Sequence, residues 1–221
     1  MATSEELLRE AVRFHQSSEF KKGINSAEKA RKQFLKERNP ARATEALRVM
    51  ADCTINARDL KKAKGLYELL LNEARSVSNS FYEAAAYWGI GQVYSHQMNY
   101  QEAAKAFAAG LTAARKIADK WYTGWNAFGI GNATRGMGHL ADAKPYYNEA
   151  IEAFQGMDQA ALASWAERAL KEIGGERVET LPADVKIWLC PMCGSKFGTS
   201  ETELIKKGKV VTCSYCGTTI G

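Results

Sequence analysis

Apolar residues recur along residues 4–174 at the three- and four-residue spacing of amphipathic helices, and short polar stretches interrupt them at regular intervals. Written in rows of forty, the chain falls into register. An apolar residue closes a polar stretch at Phe20, Leu60, Tyr100 and Leu140. Three residues later comes a small one, Gly23, Ala63, Ala103 or Ala143, and four further on stand Ala27, Tyr67, Phe107 and Tyr147. Nine residues before the closing position are Ala11, Ala51, Gly91 and Gly131, and four before those are Leu7, Leu47, Tyr87 and Ala127. The register runs through four rows without an insertion.

Each row predicts two helices joined by a tight turn ("SSEF", "ARDL", "QMNY", "MGHL"). The small columns let the two helices of a pair approach closely, and the large ones fill the space to the next pair. A single pair cannot bury its apolar stripe, so the pairs are expected to stack into a solenoid. Thr3 or Ser4 offers an N-cap with Glu6 in reach of a capping box. The stretch "SWAERALKEIGG" predicts a last, solvent-facing helix ended by Gly174 and Gly175.

The third and fourth rows carry a recognisable pattern. "YWGIGQVYSHQMNYQEAAKAFAAGL" sets Ile90, Gly91, Tyr94, Tyr100, Ala103 and Phe107 at the spacing of the tetratricopeptide repeat, and it resembles that family. "FGIGNATRGMGHLADAKPYYNEAIEAF" repeats the pattern with Ile130, Gly131, Leu140, Ala143, Tyr147 and Ala150. The first row departs from it, with Glu10 at an apolar column. The period of forty exceeds the family's commoner ~34, which predicts longer helices. The resemblance implies an all-α fold: a right-handed superhelix of about four forty-residue helix pairs plus a capping helix, over residues 1–178. It also implies a concave groove, lined by the first helix of each pair, that holds a peptide or partner protein.

Residues projecting into that groove should lie three to four apart on the first helices. The candidates are Arg48, Asp52 and Asn56; Trp88, Gln92 and His96; and Trp125, Phe128, Asn132 and Arg135. Trp88, Trp125 and Phe128 read more readily as core between repeats than as groove, and Gln92 and Asn132 read equally as groove or solvated surface. The family's set of Lys, Asn and Arg that grips a C-terminal carboxylate is not seen.

Charge is unevenly spread. Residues 1–64 hold 15 Lys and Arg against 9 Asp and Glu, residues 65–184 hold 10 against 14, and residues 185–221 hold 5 against 2. The basic ends suit an acidic partner, or are simply solvated surface. No stretch approaches the ~20 apolar residues that span a bilayer, and "MATSEELLRE" lacks the pattern of a secretory signal. A cytoplasmic protein with no membrane partner is expected. No catalytic constellation is visible. His15, His96 and His139 are scattered, and the Gly pairs of "WGIGQ" and "GIGNATRG" lie in helical, not strand–turn–helix, context. Cys53 reads as a buried small hydrophobe.

Pro182 marks a break in composition. Residues 179–184 are read as a linker and 185–221 as a second, small domain, with strands at "VKIWL" and "KVVTC". Four of the five cysteines fall here as Cys-x2-Cys-x19-Cys-x2-Cys: Cys190, Cys193, Cys213 and Cys216. In a reducing compartment this spacing points to a metal site, and four thiolates suit one structural Zn2+. "CPMCGSKF" and "CSYCG" closely resemble the knuckles of the zinc-ribbon family, which implies a small β zinc ribbon. Such a module is too short to hold itself by burial alone, and zinc would contribute on the order of 10 kcal/mol. Three readings stand: a clip presenting a partner surface, a nucleic-acid-binding ribbon using Trp188, Phe197 and Tyr215, or an iron electron carrier with the same ligands. The function expected is a non-enzymatic scaffold that binds protein or peptide in its groove, with the ribbon as a second contact. The alternative is a nucleic-acid-associated regulator, and the third an electron-transfer protein.

Overall fold

The turns set the architecture. In the computed structural model, which describes residues 2–174, 197, 199–207, 209–212 and 219–220, helices follow one another every twenty residues. They are α1 (Ser4–Gln16), α2 (Phe20–Lys36), α3 (Pro40–Asn56), α4 (Leu60–Ser76), α5 (Ser80–His96), α6 (Tyr100–Lys116), α7 (Lys120–Gly136), α8 (Leu140–Gln155) and α9 (Ala160–Gly174). The predicted closing residues Phe20, Leu60, Tyr100 and Leu140 are the first residues of α2, α4, α6 and α8.

One device makes every turn. The residue after each C-cap is left-handed: Ser18, Arg38, Arg58, Ser78, Met98, Ala118, Gly138 and Asp158 all have positive φ. The next residue donates its backbone N–H five positions back, as Asp59 does to Thr54 and Asn99 to Tyr94 (3.3 and 3.0 Å). This is the Schellman closure, which satisfies the last carbonyls of a helix. That same residue then opens the next helix. The side chains of Asn39, Asp59, Asn79, Asn99 and Asp119 each accept from a backbone N–H of the following first turn. At the start of the chain Thr3 and Glu6 form the expected capping box.

Helices pack as antiparallel pairs, α1 on α2 through α7 on α8, and each second helix packs on the next first helix. The small columns lie at the crossings. Ala11, Ala51, Ala63, Ala103 and Ala143 are wholly buried. A Cβ on Gly91 would come within 2.5 Å of the Phe107 ring, and one on Gly131 within 2.7 Å of the Tyr147 ring. Neighbouring first helices also touch one another, α1 with α3, α3 with α5 and α5 with α7. The first helices therefore line the inner side of the curve.

Both ends of the stack are polar. In α3, α5 and α7 the face against the preceding second helix is apolar or small: Ala46, Val49 and Cys53 in α3, Ala86, Gly89 and Val93 in α5. The same columns in α1 hold Glu6, Arg9 and Arg13, all exposed. At the other end α9 buries Ala166 and Ala169 but carries Glu167 and Lys171 where earlier repeats have packed residues, so it is the expected cap.

Beyond α9 the described residues form α10 (Thr199–Lys206) and two short strands, β1 (Val211–Thr212) and β2 (Thr219–Ile220). The strands are antiparallel, Val211 opposite Ile220 and Thr212 opposite Thr219. The expected β zinc ribbon is not shown. A helix occupies the spacer where none was expected, with Glu201 in its first turn and Lys207 just past its end, both suited to the helix dipole. Of the strand expected at "KVVTC", the described residues show pairing over 211–212. "VKIWL" and the boundaries at 178, 179–184 and 185 lie outside the described residues.

Candidate functional site

The concave wall is written in three columns: 45, 85, 125 and 165; 48, 88, 128 and 168; and 52, 92, 132 and 172. On α3 these positions are occupied by charges that satisfy one another. Arg48 donates from Nε and Nη2 to Glu45 (3.0 and 2.6 Å) and from Nη1 to Asp52 (2.6 Å). Burial works against its charge, but Asp52 and Glu45 outweigh it and hold the guanidinium well above its ordinary range. Asp52 also accepts from the Tyr67 hydroxyl at 2.8 Å. Asn56 reaches back to His15 (2.9 Å). Arg48, Asp52 and Asn56 are thus brought together on the wall, each with a partner from the chain itself.

The α4 hydroxyl on an α3 acceptor recurs two repeats later. Tyr147 donates to Asn132 Oδ1 at 2.9 Å. Burial pushes the Tyr147 phenol up to about 12, so it remains a donor at neutral pH. The bond occupies one end of the Asn132 amide and leaves its NH2 group free to donate. In the repeat between them the second helix supplies Phe107, which has no hydroxyl. Gln92, only 6 % exposed, makes no hydrogen bond among the described residues.

Trp88 is partly buried beside this amide column and meets Trp125 edge-on, ring centroids 6.3 Å apart. Trp125 and Phe128 belong to the core, 5 % and 3 % exposed, rather than to an open groove surface. Trp125 is enclosed by Trp121, Phe128, Phe154 and Trp165, with centroids 5.4–6.3 Å away. An aromatic this size contributes more by filling the crossing of three helices than by facing solvent. Arg135 pairs with Glu172 of α9 at 2.6 Å, and His96 lies partly buried at the end of α5. Sequence reasoning misses Arg168, which continues the column of Arg48, Trp88 and Phe128. The forty-residue register carried into α9 finds it.

A cleft of about 650 Å3 opens at the N-terminal end between α1 and α3, lined by Leu8, Val12, Arg9, Arg13, Arg42 and Glu45 among others. Arg42 is already paired with Glu5. Arg9 and Arg13 occupy the outward columns that cap the stack.

The metal ligands expected from the sequence, Cys190, Cys193, Cys213 and Cys216, lie outside the described residues. Cys53 lies in the core against α2, and burial, then Asp52, pushes its thiol up to about 12. Among the described residues no three His, Cys, Asp or Glu side chains gather as a metal site, and no helix is long and apolar enough to cross a membrane.

Residues 82–156, which span nearly all of α5 through α8, match the tetratricopeptide-repeat family model. The solved structure of the apo form of RapI shares the fold, with a TM-score of 0.68 at 15 % sequence identity. The match covers 92 % of this chain and 66 % of the RapI chain, so this protein spans just under two thirds of that one. No curated protein matches the sequence significantly.

Proposed function

We propose that this protein is a non-enzymatic scaffold whose concave wall binds an extended peptide or protein segment. The observation that carries the reading is the amide column at mid-wall. Gln92 is nearly buried yet has no hydrogen-bond partner among the described residues, and the Asn132 amide keeps its donors free beside it. An amide both donates and accepts, which matches the alternating N–H and C=O of a peptide backbone. Tetratricopeptide-type folds commonly mediate protein–protein interaction, which supports the same reading. Cytoplasmic residence is part of the proposal.

The second part concerns the C-terminal cysteines. Four thiolates in two Cys-x2-Cys pairs fit one tetrahedral structural zinc, and the described strand pair brackets Cys213 and Cys216 in sequence. Cys190, Cys193, Cys213 and Cys216 would hold the ion, and the small domain would offer a second protein contact.

The test of the groove is selection of a random 12-residue peptide library on the full-length protein. Peptides that enrich should lose most of their binding to Gln92→Ala, a change that removes no hydrogen bond seen within the fold. Enrichment that Gln92→Ala leaves untouched would move the site off this wall, and no enrichment at all would remove the scaffold reading.

A further inference from the structure

Arg168 and Arg48 occupy the same column, in opposite electrostatic situations. Arg48 is neutralised by two carboxylates. Arg168 has no hydrogen bond and no ion pair among the described residues, and its Nε is sealed from solvent without an acceptor. The carboxylate one turn further on, Glu172, is committed to Arg135. Burial therefore dominates, and it holds the Arg168 guanidinium below its ordinary range, with Glu172 opposing only in part. A partly buried charge without a partner is costly to the fold.

Two further donors nearby are orphaned. Trp165, one turn before Arg168 and 3 % exposed, has an unpartnered Nε1–H, and so has Trp88. Both indoles pack on Trp125, at 6.2 and 6.3 Å between centroids. Each buried donor left unpaired carries the full desolvation penalty of an unmade hydrogen bond. Along α5 and α9 three buried N–H groups thus lack an acceptor and Arg168 lacks an ion pair among the described residues, and neither the Gln92 amide nor the unpartnered Asn126 Oδ1 of α7 bonds to any of them.

We propose that this stretch of the wall binds an acidic peptide segment, an Asp or Glu side chain of which pairs with Arg168. The inference rests on the groove reading above and names the chemistry of its ligand. A carboxylate suits because its two oxygens match the guanidinium fork and can accept two parallel hydrogen bonds. A neutral peptide would leave the charge uncompensated. The acidic residue would lie toward the C-terminal end of the groove, beyond the amide column of Gln92 and Asn132, while the paired charges of α3 offer no free cation at the other end.

The peptides selected from the random library on the full-length protein decide this. They should share an Asp or Glu at one fixed position. A synthetic copy should bind Arg168→Gln about tenfold or more weakly, the effect of one lost charge-assisted pair. Arg168→Lys should recover part of the loss, and selection repeated on Arg168→Glu should exchange the fixed acidic residue for Lys or Arg. That exchange is a readout a merely structural arginine would not give. Far-UV circular dichroism identical to that of the parent certifies the fold of each variant. Peptides that enrich and depend on Gln92 but show no acidic preference would overturn this inference and leave the groove reading standing. An acidic preference that survives Arg168→Glu would overturn it in the same way. No enriched peptide would overturn both.

Discussion

At the scale of single residues, the interiors of the second, third and fourth helix pairs are closed by groups that must stay neutral. Burial pushes the Cys53 thiol, the Tyr82 phenol and the Tyr147 phenol up to about 12, and it holds the Tyr67 phenol well above its ordinary value, with Asp52 adding to it. In an unfolded chain these groups return to ordinary values of 9.0 for the thiol and 10.0 for the phenols. The unfolded state then loses protons first, so stability is whole below the unfolded values and is lost as pH rises through the native ones. The melting temperature should hold level from about pH 7 to 8.5 and fall steadily above about pH 9.5. Thermal melts followed at 222 nm check this. A protein as stable at pH 11 as at pH 8 would show that these groups do not titrate with unfolding. Residue identity also explains what the sequence does not disclose about the site. Trp125 is an aromatic at helical spacing on a first helix, which reads more readily as core but leaves groove open, and only the packing of Phe154 and Trp165 around it decides. Arg168 stays hidden in the sequence because its helix reads as a cap and not as a fifth row of the same columns.

At the scale of elements, the turns explain why the period is legible. Three residues join each of α2 through α8 to the helix before it, and the same closure recurs eight times at twenty-residue steps. An insertion in one of these turns breaks a Schellman closure, and at Asn39, Asp59, Asn79, Asn99 and Asp119 a side-chain N-cap as well, so the columns of small and large residues stay aligned in the sequence. The left-handed positions themselves are not legible, because only Gly138 among the eight is a glycine. The others carry side chains in a conformation that costs L-residues roughly 1–2 kcal/mol. Two substitutions at equivalent turns should therefore act in opposite directions. Met98→Gly, at φ 57° in a residue 75 % exposed, should stabilise by about 0.5–1 kcal/mol. Gly138→Ala, at φ 83° with open space around it, should destabilise by about 1 kcal/mol through the backbone alone. Urea unfolding midpoints measure both. Equal shifts of one sign would mean that side-chain contacts, not the left-handed φ, govern these turns. The element that the sequence hides altogether is α10: its eight residues are too few for a helical period to stand out, and the cysteine spacing points toward strands instead.

At the scale of the molecule, stability is distributed along a line. Each repeat packs on its neighbours, and polar faces at α1 and α9 end the stack of described helices. Among the described residues, the buried clusters of the solenoid run from Leu8 to Ala169, with Leu170 and Ile173 at their edge. In the segment after Pro182, the four cysteines offer a metal-held alternative to a hydrophobic core. Folding of the two parts should accordingly be independent. Cys213→Ser should abolish metal retention, read as zinc per chain by elemental analysis of protein purified without added metal, while the 222 nm signal and the main melting transition stay within error of the parent. Chelation of the parent should do the same. A variant that lost helical signal in proportion to its metal would join the two parts into one cooperative unit and place a contact between them that the polar face of α9 gives no reason to expect.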